Sequence, residues 1–386
     1  MELQKIIEGK TFPEIKNLLT QDYKLVVKED PDLPNLYLVT GKRGMEEFYQ
    51  EIAKDSPFIE ECRGIILEKE SNRVVSMAFR HRLEFDYEDA DIDLAKYGLE
   101  WNHVQIEKSV EGTQLRLYYY DGKWRVSTCR CLDAGKAHWQ SNKSFYDLFQ
   151  EAVKEEQFDL TKLSHDFCHV LILQHPENQI VVSYQKPSLV HLTSRDLSQQ
   201  GYPEVDYDLG LNLPAIIYNS YSDFSTFLEK LNDESDLSKE GYILKDLRSE
   251  KRLKIMTPYY REAKELRGNV TPNNLIYHYL ELKQENNVKR YLEIFPKEGY
   301  SFRKLENKLD DMVSHIHRQY CDKFVNKTLK MKDLIFCFRP FIYEINGFYL
   351  ANRSKKMTKK RVSEFLSKKE PAQIAYMYHS YYDIKQ

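Results

Sequence analysis

The sequence has few cysteines, no long hydrophobic run and no P-loop or dinucleotide-binding glycine motif. Its six cysteines are too sparse for a disulfide framework, and none forms the paired C-x-x-C spacing of a structural zinc site. No apolar stretch approaches the ~20 residues that a transmembrane helix needs, and the first residues lack the apolar core of a signal peptide. These absences predict a reduced, cytoplasmic protein without a membrane partner.

Charge is balanced over the whole chain but unevenly distributed along it. The 57 Lys and Arg residues oppose 60 Asp and Glu residues, and the resulting net charge of −3 gives no indication of a polyanionic partner. Residues 321–370, however, contain 13 basic and 5 acidic residues. The densest part is NRSKKMTKKR at 352–361, which a solvated helix face or contact with a phosphate backbone would explain. The candidate contacts to a phosphate backbone are Lys355, Lys356, Lys359, Lys360 and Arg361.

The sequence pattern changes near residue 262. Before it, short runs rich in β-branched and aromatic residues alternate with turn signals, which is typical of strands. Strands are predicted at 23–27, 36–40, 63–68, 74–79, 115–120, 124–128, 168–173, 179–184, 189–193 and 241–244, and helices at 45–53, 143–155 and 223–231. From residue 259 onward the apolar residues follow helical spacing. The pattern predicts an α+β domain at 1–262 and an all-α, partly basic domain at 263–386.

Four short segments, the last of them double, follow one another in the first domain. They are ECRGIIL (61–67), IEKSVEGT (106–113), LILQHPENQIVV (171–182) and the pair EGYILK (240–245) and KIMTPY (254–259). In order and spacing they resemble the motif series of covalent nucleotidyltransferases, particularly ATP-dependent RNA ligases of the bacteriophage tRNA-repair type. The resemblance implies an RNA-ligase or ATP-grasp-like domain with antiparallel sheets. Segments of the helical region, such as LDDMV at 309–313, are similar to the appendage that such ligases carry.

The resemblance also implies a chemistry. A lysine attacks the α-phosphorus of ATP, the lysyl-AMP passes its nucleotide to an RNA 5′-phosphate, and a 3′-hydroxyl displaces AMP. Neighbouring cations and burial must lower the pKa of that lysine, and Mg²⁺ with further lysines offsets the phosphate charge. By position, the catalytic residues would be Lys108, Glu240 and Lys254, with Glu240 also the metal ligand, and the nucleotide-binding residues would be Arg63, Glu107, Gly112 and Lys245. The basic run would then contact RNA, with tRNA or nicked tRNA as the implied partner.

The second segment departs from the family pattern at the nucleophile itself. The family glycine stands three positions after the lysine, whereas Ser109 stands three positions before Gly112, and Lys108 is one place too early. Either serine replaced the nucleophile, or one residue was inserted and a β-bulge keeps Lys108 in the pocket. Without a bulge, the one-residue slip turns Lys108 to the opposite face of its strand.

Two further positions lack the expected polar group. Ile172 stands where the family has a glutamate that contacts the ribose, and Met256 stands where it has a second lysine. Because losing the nucleophile abolishes covalent catalysis, these departures favour a pseudoenzyme that recognises tRNA or broken RNA ends with lost or impaired chemistry. Such a protein would suit a protective or immunity role against an RNA-cleaving toxin. The alternative is an active ligase that joins 5′-phosphate to 3′-hydroxyl through Lys108-AMP, with ATP and Mg²⁺ as cofactors.

Overall fold

A computed structural model describes residues 1–79, 82–85, 94–217, 221–271, 274–351, 353 and 355–384. The chain forms two compact units, Met1–Lys264 and Glu265–Gln386. The first unit combines sheets and helices, and the described part of the second contains helices and turns. The predicted α+β class, followed by a helical region, is confirmed. None of the described helices is both long and apolar enough to cross a membrane.

The strands of the first unit pair into three sheets. The described strands are β1 (Val26–Glu29), β2 (Leu36–Thr40), β3 (Arg63–Glu68), β4 (Val74–Ser76), β5 (Arg82–Phe85), β6 (Val104–Lys108), β7 (Thr113–Tyr120), β8 (Lys123–Thr128), β9 (Phe167–Gln174), β10 (Ser188–Asp196), β11 (Glu204–Val205), β12 (Ile216–Ile217), β13 (Gly241–Asp246) and β14 (Arg252–Met256). Their orders are β1-β2-β3-β4, β11-β10-β9-β7-β8 and β12-β6-β13-β14-β5. These neighbours run antiparallel, apart from the parallel pair β14 and β5. The expected antiparallel sheets are confirmed.

Helices flank the sheets of the first unit and make up most of the second. In chain order they are α1 (Glu2–Ile7), α2 (Phe12–Asn17), α3 (Glu46–Ala53), α4 (Phe145–Glu155), α5 (Phe224–Asn232), α6 (Pro258–Arg267), α7 (Leu275–Gln284), α8 (Val288–Ile294), α9 (Gly299–Tyr320), α10 (Arg339–Ala351), α11 (Lys359–Leu366) and α12 (Pro371–Ile384). Local chemistry sets their starts. At α4, for example, Ser144 and Asp147 form a reciprocal capping box that satisfies otherwise unpaired backbone N–H groups.

Two of the sheets bury one face against a helix. In the second sheet, Leu171 and Leu173 of β9 pack with Leu148 and Phe149 of α4. Side chains alternate along a strand, so Ile172 lies on the opposite face from these leucines.

The third sheet packs against α5 in the same way. Ile106 of β6 and Leu244 of β13 form a core with Phe227 and Leu231. The opposite face of this sheet carries the polar residues that form the site described below.

Two local predictions have opposite outcomes. The predicted hairpin at Asp121-Gly122 is confirmed, because both residues have positive φ angles, 53° and 74°, and connect β7 to β8. The predicted strand at 179–184 is wrong. In that loop the backbone N–H groups of Val181 and Val182 donate to the carboxylate of Glu111 rather than to a neighbouring strand.

Candidate functional site

Lys108 lies on the α5 side of β6. The strand pairs with β13 without a register shift, from Val104 opposite Asp246 to Lys108 opposite Tyr242. Tyr242 packs against Phe227 of α5, with 5.5 Å between the ring centroids, so the side chains of this pair belong to the α5 face. The Lys108 side chain is exposed there. The bulge that would turn Lys108 toward the polar face is absent from these described strand pairs.

Ser109, the next residue, faces a buried ion pair. Its Oγ donates a hydrogen bond of 2.6 Å to Oε2 of Glu240, and its backbone N–H donates to the carbonyl of Gly241. The other carboxylate oxygen of Glu240 accepts a hydrogen bond of 2.5 Å from Nζ of Lys254. Glu240 and Lys254 are each only 5% exposed. The position three residues before Gly112 is therefore occupied by a hydroxyl that is bonded within a Ser109, Glu240 and Lys254 cluster.

Glu111 provides a second buried carboxylate beside this cluster. It accepts hydrogen bonds from the backbone N–H groups of Val181 and Val182 and from the hydroxyl of Tyr260, the last at 2.5 Å. Burial, with a smaller contribution from the charge of Glu240, raises the pKa of Glu111 to about 7, although the hydrogen bonds oppose the rise. Glu111 therefore changes its charge near neutral pH.

The raised pKa of Glu111 predicts a pH dependence of stability. Between about pH 4.5 and pH 7 the folded state keeps a proton that the unfolded state has lost, so this contribution to stability decreases as the pH rises. From pH 5 to pH 8 the free energy of unfolding of wild type should fall by about 2 kcal/mol relative to that of Glu111→Gln. Urea unfolding at both pH values measures this difference.

Glu177→Gln is the matched control for this experiment. Glu177 is exposed, and its hydrogen bonds to Lys143 and Ser141 lower the pKa of its carboxyl group. Its removal should leave the pH dependence between pH 5 and pH 8 unchanged. If the free energy of unfolding changed with pH equally in wild type and in Glu111→Gln, the assignment of Glu111 as the titrating group would be contradicted.

Lys245 and Arg252 are paired with a third buried carboxylate, Glu204 of β11. Arg252 donates two hydrogen bonds to Glu204, at 2.6 and 2.7 Å, while Arg195 and Lys245 lie 2.9 and 3.1 Å from its oxygens. Glu250 is 3.0 Å from Arg195. Although burial opposes the shift, the Arg252 hydrogen bond and the nearby positive charges lower the pKa of Glu204 to about 2. We refer to Arg195, Glu204, Lys245, Glu250 and Arg252 as the Glu204 network.

Glu107 and Gly112, two of the predicted nucleotide-binding residues, have different neighbours. Glu107 is half-buried beside the Glu204 network, where burial raises its pKa and the charges of Lys245 and Arg252 oppose the rise. Gly112 has φ of 149°, and a Cβ there would lie 2.4 Å from Cγ2 of Ile172 and 2.5 Å from the carbonyl of Leu173. Only glycine fits this approach.

The remaining motif residues lie in different surroundings. Arg63, at the start of β3, is exposed, and its carbonyl accepts a hydrogen bond from the fully buried Arg116. Met256 is buried, and its sulfur lies 3.7 Å from Nζ of Lys264. Lys264 and Tyr260 are four residues apart on α6 and therefore share one helix face. This face brings an ammonium group to the methionine that stands in place of the family's second lysine.

The basic run of the second unit is only partly free. Lys355, Lys356 and Lys360 are exposed. Lys359 forms a 2.6 Å salt bridge with Asp310, and Arg361 donates to the carbonyls of Lys355 and Lys356. Two of the five candidate RNA contacts therefore already have protein partners.

The motif lysines have one partner inside the motif series, Glu240, and one outside it, Glu204, which the sequence did not indicate. Arg195 and Tyr260 also lie outside the motif series, and Glu111 lies within it at a position without a predicted role. One available signal was the i, i+4 spacing of Tyr260 and Lys264 directly after the last motif. Another was the presence of Arg116 and Arg195 inside the strands of β7 and β10, where a buried charged side chain needs a partner.

We refer to the Ser109, Glu240 and Lys254 cluster, Glu111 and the Glu204 network together as the cleft. These described residues do not fit ATP and Mg²⁺ in the arrangement that the family chemistry needs. Lys254 and Lys245 are paired with Glu240 and Glu204, and Glu240 also binds Ser109. Within the described ranges, no group of three or more His, Cys, Asp or Glu side chains is placed to hold a metal ion. A triphosphate bound by Lys254 and Lys245 would have to compete with these ion pairs.

Comparison with known proteins finds several viral relatives, although no protein-family model matches the chain. The chain is 22% identical over 257 residues to a protein named RNA ligase from Rhodothermus phage RM378, which covers 56% of this chain and 57% of the phage protein. It is 22% identical over 369 residues to a protein named immediate-early protein ICP-46 homolog from Invertebrate iridescent virus 6, covering 87% of this chain and 80% of the relative.

A third relative comes from Autographa californica nuclear polyhedrosis virus and is described as a candidate bifunctional polynucleotide kinase/RNA ligase. It is 26% identical over 224 residues, which cover 54% of this chain and 31% of the relative. Among solved structures, an archaeal ATP-dependent RNA ligase has a TM-score of 0.41 at 11% identity, covering 78% of this chain and 74% of that one. The chain spans little more than half of the phage protein. The sequence similarities to the phage and baculovirus proteins confirm the resemblance of the motif series to RNA ligases.

Proposed function

We propose that this chain, a relative of the RNA ligases with degenerate motifs, binds RNA without forming a lysyl-AMP intermediate. The observation that carries the proposal is the continuous register of β6, which places Lys108 on the α5 face and Ser109 at the buried Glu240. A nucleophile must reach the α-phosphorus in line with its leaving group, and a side chain on the opposite face of a sheet cannot do so.

The pairing of the cleft cations supports the same proposal. Family chemistry uses lysines to offset charge that develops on the phosphates. Here Lys254 and Lys245 already neutralise Glu240 and Glu204. Cations that stabilise the folded chain in this way are not available for a triphosphate unless their carboxylate partners are released.

The direct test is covalent labelling with ATP that carries a radioactive α-phosphate, in the presence of Mg²⁺, followed by denaturing electrophoresis. We expect no labelled band from wild type or Lys108→Ala, while an active ATP-dependent RNA ligase run alongside is labelled. A band that disappears in Lys108→Ala would overturn the proposal and establish the alternative, an active ligase with ATP and Mg²⁺ as cofactors. A band lost only in Ser109→Ala would also overturn it.

RNA binding is measured separately. We propose tRNA or its broken ends as the RNA, because the motif series resembles that of ligases of the tRNA-repair type. Gel shifts should detect complexes with intact and anticodon-nicked tRNA, and bound nicked tRNA should be cut more slowly by added ribonuclease. That protection would suit an immunity role against an RNA-cleaving toxin. If wild type bound neither intact nor nicked tRNA, the proposal would be overturned.

The exposed lysines of the basic run give a further variant for the same assay. Changing Lys355, Lys356 and Lys360 to Glu removes the three that are exposed and spares Lys359, which is paired with Asp310. Weaker binding by this triple variant would place the basic run on the RNA surface. Unchanged binding would leave RNA binding itself intact and assign it to other residues.

A further inference from the structure

The second unit has a pocket of about 550 Å³ on α9, outside the segments of the ligase motif series. Six of its lining residues belong to α9 and one to α12: Tyr300, Arg303, Lys304, Asn307, Lys308, Asp311 and Tyr382. The α9 members recur every three or four residues, so they occupy one face of the helix. The opposite face supplies core residues such as Phe302, Leu305 and Ile316. We call this surface the α9 pocket.

The α9 pocket is positively charged, and its cations are available. Arg303 and Lys304 are exposed, Lys308 is half-buried, and none of the three forms a salt bridge among the described residues of the chain. Lys359 on α11 differs, because it is paired with Asp310. With Asp311 as the single acidic residue of the lining, three positive charges oppose one negative charge.

Two tyrosines give the α9 pocket its aromatic surface. Tyr300 is 72% exposed, so most of its ring is open to a ligand. Tyr382 is held in place, because its hydroxyl donates a 2.8 Å hydrogen bond to the carbonyl of Lys308 and the Lys308 ammonium lies 4.7 Å from its ring centroid. A rigid wall beside an exposed ring provides a platform on which a flat ligand can stack.

We infer that the α9 pocket binds a single-stranded segment of RNA, with a base stacked on Tyr300 and backbone phosphates at Arg303, Lys304 and Lys308. The inference rests on the proposed RNA-binding function and gives it a location. Single-strand binding proteins combine cations that follow the backbone with aromatic rings that stack the bases. An acidic peptide would use the cations but has no base for Tyr300, so the exposed ring favours RNA.

The test uses the full chain and a short fluorescent oligoribonucleotide without secondary structure, titrated by anisotropy at several salt concentrations. Tyr300→Ala should weaken binding about 5- to 150-fold, because one stacked base contributes ~1–3 kcal/mol. Tyr300→Phe should bind like wild type, since it keeps the ring. Tyr376→Ala is the matched control, because Tyr376 on α12 is 66% exposed but does not line the pocket.

Charge is tested with a triple alanine variant at Arg303, Lys304 and Lys308. For this variant, the slope of the logarithm of the association constant against the logarithm of the salt concentration should be shallower than for wild type by about 2. Each phosphate contact to a single strand contributes ~0.7 to this slope, and the variant removes three cations. The control variant replaces three exposed lysines elsewhere on the second unit, Lys327, Lys330 and Lys332, by alanine. It should reduce the salt-dependence slope less than the α9 pocket variant does. Lys308 is half-buried and the other substituted side chains are exposed, so melting temperatures equal to that of wild type would show that the fold is kept.

The outcomes separate the two proposals. If wild type binds the oligonucleotide and Tyr300→Ala binds equally well, the α9 pocket inference is overturned and RNA binding stands. If wild type binds no RNA at all, the proposed function itself is overturned. If a polyglutamate peptide competes with the RNA and binds Tyr300→Ala as tightly as wild type, the pocket is an acidic-peptide site and the inference is overturned.

Discussion

Replacing Glu204 by alanine is expected to lower the free energy of unfolding of the first unit by about 3 to 5 kcal/mol, because it breaks a buried ion-pair network. The Glu204 side chain is 9% exposed and pairs with Arg252, Arg195 and Lys245. Arg195 is fully buried and Arg252 nearly so. Without the carboxylate, two buried guanidinium groups keep their desolvation cost but lose much of the compensating interaction.

Chemical unfolding followed by circular dichroism measures this loss. The control is Glu100→Ala, because Glu100 is exposed and pairs with the exposed Arg248 at 3.3 Å. Exposed pairs contribute little, so this variant should change the free energy of unfolding by about 0.5 kcal/mol or less. Equal effects of the two substitutions would show that the Glu204 network does not stabilise the fold.

The second large effect is expected at Lys254. Lys254→Ala should lower the free energy of unfolding by about 3 kcal/mol, because it leaves the Glu240 carboxylate buried with the hydroxyl of Ser109 but without its ammonium partner. The double variant Lys254→Met with Glu240→Gln should recover most of this loss, since it removes both charges and approximately keeps the volumes. A double-mutant cycle measures the coupling between the two sites.

Lys264→Ala is the control for the cleft cations. Lys264 is half-buried near the same cluster but contacts the sulfur of Met256, a weak acceptor, so its removal should cost less than about 1 kcal/mol. If Lys254→Ala were as stable as wild type, Lys254 would not be needed for folding, as is possible for a lysine whose role is to bind phosphate. That result would support the alternative of an active ligase.

Both predictions concern what the cleft cations do. In the ligase chemistry implied by the motif series, positive charge has to be available to phosphates. In this chain Lys245 and Lys254 hold strands together through Glu204 and Glu240. Cations without a salt bridge among the described residues lie elsewhere, and they include Arg303, Lys304 and Lys308 on α9, where we infer RNA contact.

Several features were determined by the sequence alone, because they depend on residues that are close together along the chain. The hairpin at Asp121-Gly122, the α4 helix after Ser144, the strands at 36–40 and 63–68 and the helical C-terminal region all follow from local periodicity, turn chemistry and capping. The distance to Gly112 also showed that Lys108 stands one place too early, but it left open whether Ser109 or a bulged Lys108 takes the nucleophile position.

The tertiary structure alone decided which groups meet across the sheets. The register of β6 against β13 turned Lys108 to the α5 face, and β11 brought Glu204 to Lys245. The loop at 179–184 has a strand-like pattern, yet its backbone N–H groups donate hydrogen bonds to the carboxylate of Glu111, a residue some seventy positions earlier. Strand register and long-range charge pairing depend on the whole fold, because a side chain's face and partner are set by its neighbours in space and not by its neighbours in sequence.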